Sequence, residues 1–299
     1  VIDQFAEKHG RPPGRGAVVV GMGSLGAERL NAGSDLDLIV IYDTGEAEGS
    51  DGRRPLASRP YYARLTQAMI TALTARMAEG RLYEVDMRLR PSGNQGPVAT
   101  SWPSFENYQQ NKAWTWEHLA LTRARVITGD AGLAADVETF RSSLIAEKSA
   151  PAPALASVKE MRARVAEAKP SEGPWDAKLG PGRLLDLELV AQAGNLMAGQ
   201  AARDVASGFA GGVAIGWLSD ADSAALARAY ALCWRVQMVS RLISDKTLAP
   251  DRIGEGGAAF LLRETSEETL SMLEERLNTA CTAAAEVIDA RLDRTPGEG

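Results

Sequence analysis

The stretch that decides the fold is "GMGSLGAERLNAGSDLDLIVIY", residues 21–42. Its second half sets two carboxylates, Asp35 and Asp37, at the mouth of an otherwise apolar run. A β-strand sends alternate side chains to opposite faces, so the two acids project together while Leu36 and Leu38 turn to the core. Like charges that close repel unless a cation lies between them. Its first half, "GMGSLG", follows the apolar strand "AVVVG" (17–21) and fits the G-x-G-x-x-G dinucleotide pattern, with Asp43 about 20 residues on. Two arguments discount that reading. Residues 24–34 leave room for about two helical turns, short for a crossover between parallel strands. A pyrophosphate would also be repelled by Asp35 and Asp37.

A metal reading uses every residue. Oxygen donors suit Mg²⁺, which binds through one or two carboxylates together with substrate phosphates. A third carboxylate is then expected from a neighbouring strand. The segment "LYEVDMRLRP" (82–91) supplies it, because its alternation puts Glu84, Asp86, Arg88 and Arg90 on one face and Val85, Met87 and Leu89 on the other. Gly23 and Ser24, at the start of a short helix, present backbone N–H groups suited to terminal phosphates. Asp35, Asp37 and Asp86 are thus the candidate catalytic and metal-binding residues. Gly23, Ser24, Ser34, Arg88 and Arg90 are the candidate nucleotide-binding residues, with an ion pair to Glu84 or the aspartates an equal alternative for the two arginines.

Outward from this centre, a helix is expected over about 61–79, where Leu65, Met69, Leu73 and Met77 recur every four residues as a core stripe. Helical patterns resume over 102–127. The run "SAPAPALAS" (149–157) lacks any amphipathic period and is expected to be a hinge. Only helices are expected beyond it, the last over about 267–292 with Thr265 and Glu268 as a capping box. The fold class is α+β, with a catalytic domain over 1–148 and an all-α helical bundle over 149–299.

The 299 residues are enough for two cores, and a net charge of −6 argues against a general nucleic-acid or anionic-membrane binder. No apolar run approaches the roughly 18 residues of a membrane span, and no signal-peptide layout opens the chain. The two cysteines, Cys233 and Cys281, are expected to be small buried apolar residues, and the chain reads as cytoplasmic. A start at Val1 suggests a fragment lacking an N-terminal part.

The G-S, D-x-D and distant-acid pattern resembles the nucleotidyltransferase superfamily related to DNA polymerase β. "GMGSLGAERLNAGSDLDLIVIY", "LYEVDMRLRPSGNQGPVATSWPSFENYQ" and "AWTWEHLALTRARVITGD" are more specifically similar to the glutamine synthetase adenylyltransferase family. That resemblance implies a polymerase-β-like domain with a small mixed sheet, a two-ion Mg²⁺ site with Mn²⁺ as an option, ATP as substrate, and AMP transfer to a tyrosine of glutamine synthetase. Partners implied are glutamine synthetase, a PII-type signalling protein, and a missing N-terminal half of the same polypeptide. The run Thr115-Trp116-Glu117-His118 stands where the AMP-removing half has R-D-W-E, which favours the AMP-attaching half. The removing half, and a non-catalytic nucleotide- or PII-sensing module, are the alternatives.

"KLGPGRLLDLELVAQ" is similar to the family's K-x-x-x-G-G-x-x-D-I-E-F, matching Lys178, Gly182, Asp186 and Glu188 but with Arg183 for the second glycine. Asp186 and Glu188 would lie about 200° apart on one helix, so they cannot both face a cleft. A salt bridge and a catalytic role are equally open for either. Trp114, Trp116 and His118 are candidates for stacking on adenine, lining a substrate groove or filling a core; His118 has no metal-ligand spacing.

Overall fold

The computed structural model describes residues 1–78, 80, 83–244 and 246–296. The chain divides into two compact units: 1–30 with 34–144, and 31–33 with 145–299.

The first unit is built on one short sheet. β1 (Gly16–Gly21) and β2 (Leu36–Asp43) pair antiparallel, from Gly16 opposite Asp43 to Gly21 opposite Leu38. That topology excludes the parallel crossover of a dinucleotide fold, and the link between the strands holds only α2 (Gly23–Gly26). On its other side β1 pairs antiparallel with β5 (Arg125–Gly129). The free edge of β2 takes two short parallel partners, β3 (Val85–Asp86) at its start and β4 (Thr100–Ser101) at its end. The sheet is covered on both faces, which is why its strands read as continuous apolar runs. Leu38, Val40 and Tyr42 pack with Tyr61, Tyr62 and Leu65 of α3 (Ser58–Leu73). Ile39 and Ile41 pack with Val18, Val20, Phe105 of α4 (Trp102–Asn111) and Leu121 of α5 (Thr115–Leu121). The remaining helix at the start of this unit is α1 (Ile2–His9).

Several expectations are corrected. α3 ends at Leu73, so only Leu65 and Met69 of the stripe reach the core; Leu73 and Met77 are exposed. Glu79 and Leu82, which close the expected helix and open the expected strand, lie outside the described residues. The strand of "LYEVDMRLRP" stops at Asp86, because the chain turns and Arg90 N–H donates to the Met87 carbonyl at 3.2 Å. Leu89 accordingly joins a different core cluster from Val85 and Met87. "RVITG" is strand rather than helix, paired with β1.

α6 (Ala131–Glu147) contains the boundary between the units. The second unit continues with α7 (Pro151–Ala168), α8 (Leu184–Met197), α9 (Val205–Ala214), α10 (Asp220–Ile243), α11 (Gly254–Thr265) and α12 (Leu270–Leu292). The expected hinge is the start of α7: proline is tolerated in a first helical turn, where its missing N–H has no helical partner to lose, and alanine propagates the helix. α12 is capped by Thr269, whose hydroxyl accepts from Met272 N–H, while Thr265 is buried at the end of α11. The core of this unit joins Leu232, Val236, Leu261, Leu273 and Leu277. Cys233 and Cys281 lie within it as free, buried thiols, sulfur to sulfur at 3.4 Å.

Candidate active site

The "GMGSLG" glycines have a steric explanation. Gly23 has φ of +49°, a region that side chains disfavour, and a Cβ there would lie 2.5 Å from Asp37 Oδ2. At Gly26 a Cβ would lie 2.1 Å from the Arg123 carbonyl oxygen. Both positions let α2 sit directly against the strands. Met22 N–H donates to the Asp37 carbonyl at 2.9 Å, so the start of α2 is tied to the strand that carries the acid.

Asp37 lies in β2 and Asp86 in β3, in direct parallel register. Residues in register on neighbouring strands share a face at a spacing of about 4.8 Å. Asp35 is exposed one residue before β2 begins, and Ser34 precedes it. The structure therefore brings two of the three acids together beside Gly23 and leaves Asp35 at the rim.

The turn after β3 occupies the Asp86 carboxylate. Its Oδ1 accepts the Arg88 backbone N–H at 2.8 Å, and its Oδ2 accepts Arg88 Nε at 2.7 Å. A second guanidinium nitrogen completes the ion pair. Burial raises the Asp86 pKa, but the Arg88 side chain and amide outweigh it and hold the carboxyl below its ordinary range. The Arg88 guanidinium is itself held charged by Asp86 first, then by the fields of Asp37 and Asp35. Three acids thus act on one positive group. Among the described residues, no three carboxylate, imidazole or thiol side chains are gathered as a ready-made metal-ligating cluster. The donor set nevertheless fits a hard divalent cation: two carboxylates stand in register, all donors are oxygen, and their mutual repulsion is relieved here by a cation of the chain's own.

Arg90 is placed differently from Arg88. Its Nη1 donates to the Met87 carbonyl at 2.7 Å and its Nε to that of Gly96 at 3.4 Å, bracing the loop after β3. Arg125, which the sequence reading missed, holds the other end of α2: Nε donates to the Gly26 carbonyl and Nη2 to that of Leu25, both at 3.2 Å. The signal available was the five-residue alternation of "RVITG", too short to separate from a helix end.

Trp114, Trp116 and His118 do not share one surface. Trp114 is exposed before α5, and His118 is buried with Nε2 on the Gln109 carbonyl at 2.9 Å. Glu117 is also buried, accepting from the Tyr108 hydroxyl and the Trp114 amide, both at 2.9 Å. Asp43, the acid of the discarded dinucleotide reading, pairs with Arg15 at 3.2 Å. In the second unit Asp186 is buried and bound by Arg162 through two nitrogens, at 3.0 and 2.9 Å, and by Gly182 N–H at 3.0 Å. Arg162 also reaches Asp289 at 2.8 Å, so Asp186 belongs to an ion-pair network of the helical unit. Glu188 is half-buried.

A mixed α+β unit with a small mixed sheet, and two acids in register beside a Gly-Ser turn, is consistent with a nucleotidyltransferase-like fold. Residues 2–140 match the family described as Glutamate-ammonia ligase adenylyltransferase. Relatives named "Bifunctional glutamine synthetase adenylyltransferase/adenylyl-removing enzyme" agree over more of the chain. That of Mesorhizobium japonicum is 41% identical over 281 residues, 93% of this chain and 28% of its own length. That of Rhizobium meliloti is 42% identical over 283 residues, 92% of this chain and 28% of its own. That of Agrobacterium fabrum is 50% identical over 193 residues, 64% of this chain and 20% of its own. Residues 2–140 belong to the glutamate-ammonia ligase adenylyltransferase family, and the homologues of this chain are enzymes that carry that name. The chain spans under a third of the length of the relatives it matches. Among the described residues, no helix is long and apolar enough to cross a membrane.

Proposed function

We propose that this chain is the AMP-attaching part of such an enzyme, transferring AMP from ATP to a tyrosine hydroxyl of glutamine synthetase and releasing pyrophosphate. The observation that supports nucleotidyl transfer is the register of Asp37 with Asp86 beside Gly23, and the choice of the attaching half rests on the Thr115-Trp116-Glu117-His118 run. Asp35, Asp37 and Asp86 would hold Mg²⁺ or Mn²⁺, which when bound supplies charge neutralisation at the phosphates and lowers the pKa of the attacking hydroxyl. Asp86 would take the tyrosine proton, needed because a free phenol has a pKa near 10. For Asp86 to serve, Arg88 must leave its carboxylate, and the released guanidinium is then available to the triphosphate. Gly23 and Ser24 bring backbone close to the phosphates, Arg125 fixes the helix that presents them, and Ser34 lies at the rim with Asp35. Arg90 serves this reading as the brace of the loop that carries Arg88.

The catalytic domain of the proposal is 1–148 and the helical part 149–299; a PII-type protein and an N-terminal half are its proposed partners. The test incubates the chain with α-labelled ATP, Mg²⁺ and unmodified glutamine synthetase. Label on the synthetase is the expected result. Release of ADP from adenylylated synthetase in the presence of phosphate, without labelling, would assign the chain to the removing half instead. Neither activity, with nucleotide still bound, would make it a sensing module. Asp37→Asn is expected to lower transfer by more than about 100-fold, beyond the 10- to 100-fold typical of losing a group that only supports a metal ligand. Circular dichroism checks that the variant is folded.

A further inference from the structure

The first unit holds a cavity of about 410 Å³ at the other end of β2 from the acids, lined by Tyr42, Arg59, Thr100, Ser101, Ser104 and Lys112 among others. Tyr42 is paired with Ser101 in β4, whereas Asp37 is paired with Asp86 in β3. Five residues along a strand is about 16 Å, and an odd separation reverses the face. The cavity is therefore separate from the acids in position, and it lies across the edge of the sheet, with Tyr42 and Ser101 on one face and Thr100, in register with Ile41, on the other.

Its chemistry is also opposite. Two cations line it, its other polar groups are hydroxyls and an amide, and no carboxylate is among the lining residues. Arg59 stands in the first turn of α3, Ser101 is the N-cap of α4, and Ser104 follows in its first turn. Neither helix start has a side-chain cap bond; the start of α4 brings the positive end of its dipole to the cavity, and α3 contributes the Arg59 side chain. Thr100 is 5% exposed, and its Oγ1 meets no hydrogen-bonding group among the described residues. Its register with Ile41 turns that hydroxyl to the core side of the strand, away from Tyr42 and Ser101.

We propose that this cavity binds a small oxyanion-bearing metabolite, through a phosphate or carboxylate group, as a site distinct from the one that handles the nucleotide. Arg59 and Lys112 supply the countercharge. Ser101 and Ser104, joined to each other at 2.8 Å, supply hydroxyls, and the volume suits a small metabolite rather than a polymer. The inference does not depend on which reaction the acid face performs.

Calorimetric titration of the 299-residue chain with inorganic phosphate, and separately with succinate, at constant ionic strength tests it. Saturable binding of either probe at one site is expected; phosphate alone identifies a phosphate ligand, succinate alone a carboxylate, and both the shared chemistry. Arg59→Gln and Lys112→Gln are each expected to weaken binding by about tenfold. Asp37→Asn is expected to leave affinity unchanged. No saturation by either probe up to about 20 mM, well above a millimolar dissociation constant, would overturn the proposal. So would affinity unaltered in Arg59→Gln, or lost in Asp37→Asn.

Discussion

Arg88 is the residue on which the acid face turns. Its pairing with Asp86 makes a titration prediction with a defined sign. The native carboxyl of Asp86 is held below its ordinary range by Arg88, against the effect of burial. Its contribution to stability is therefore present above the unfolded pKa and lost as pH falls through the lower native one. Arg88→Met is expected to raise the Asp86 pKa, read by NMR titration of the carboxyl carbon. Gly23→Ala is a second test at this scale. The φ of +49° costs about 1–2 kcal/mol for a residue with Cβ, and the added methyl must displace the Asp37 carboxylate. Urea denaturation and AMP transfer are both expected to report a loss. Asp35 falls one residue before β2, whereas the placement of Asp37 and Asp86 on neighbouring strands was legible because strand alternation is a local rule. The partners of Arg88 and Arg90 were not, since they follow from a turn after Asp86 that no alternation announces.

At the scale of elements, the helices that carry their own end signals are set most firmly. α10 opens with Ser219 and Asp222 each accepting from the other's amide, at 3.1 and 2.8 Å. Ser219→Ala is expected to cost about 1 kcal/mol by urea denaturation. Burial pushes the Asp222 carboxyl up, but the Ser219 amide and hydroxyl and Arg291 hold it below the ordinary range. This cap is accordingly retained above the unfolded carboxyl pKa and weakens as pH falls through the native one. The elements that were misread failed for physical reasons. β5 offers five residues, too few to show a period, and its strand character comes from pairing with β1. The prolines of 151 and 153 look like helix breakers until they are seen in the first turn of α7, where they break nothing.

At the scale of the molecule, each unit has cores of its own, sheet-based in the first and helix on helix in the second. Leu277 is fully buried in the helical core, and Leu277→Ala is expected to cost that unit about 2–5 kcal/mol. Hydrogen exchange is expected to show the loss across α10 and α12 while the amides of β1 and β2 keep their protection. Described strands lie only before residue 130, and the change from period two to period 3.6 along the chain made that order of elements legible. The cavity beside Arg59 was not legible, because its residues come from β2, α3 and the segment from Pro91 to Lys112, which only the folded unit brings together.

The antiparallel pairing of β1 with β2 also bears on the order in which the chain acquires its structure. The two strands are joined by the short link around α2, whereas β5 must return to β1 from about a hundred residues away. Loop closure favours near neighbours, so the β1–α2–β2 hairpin is expected to form first and to serve as the template on which β3 and then β5 dock. Pulse-labelled exchange during refolding is expected to protect the amides of β1 and β2 before those of β5. The arm bearing Asp37 would then be laid down before Asp86 arrives beside it, and the two like charges would meet only when Arg88 comes with the second.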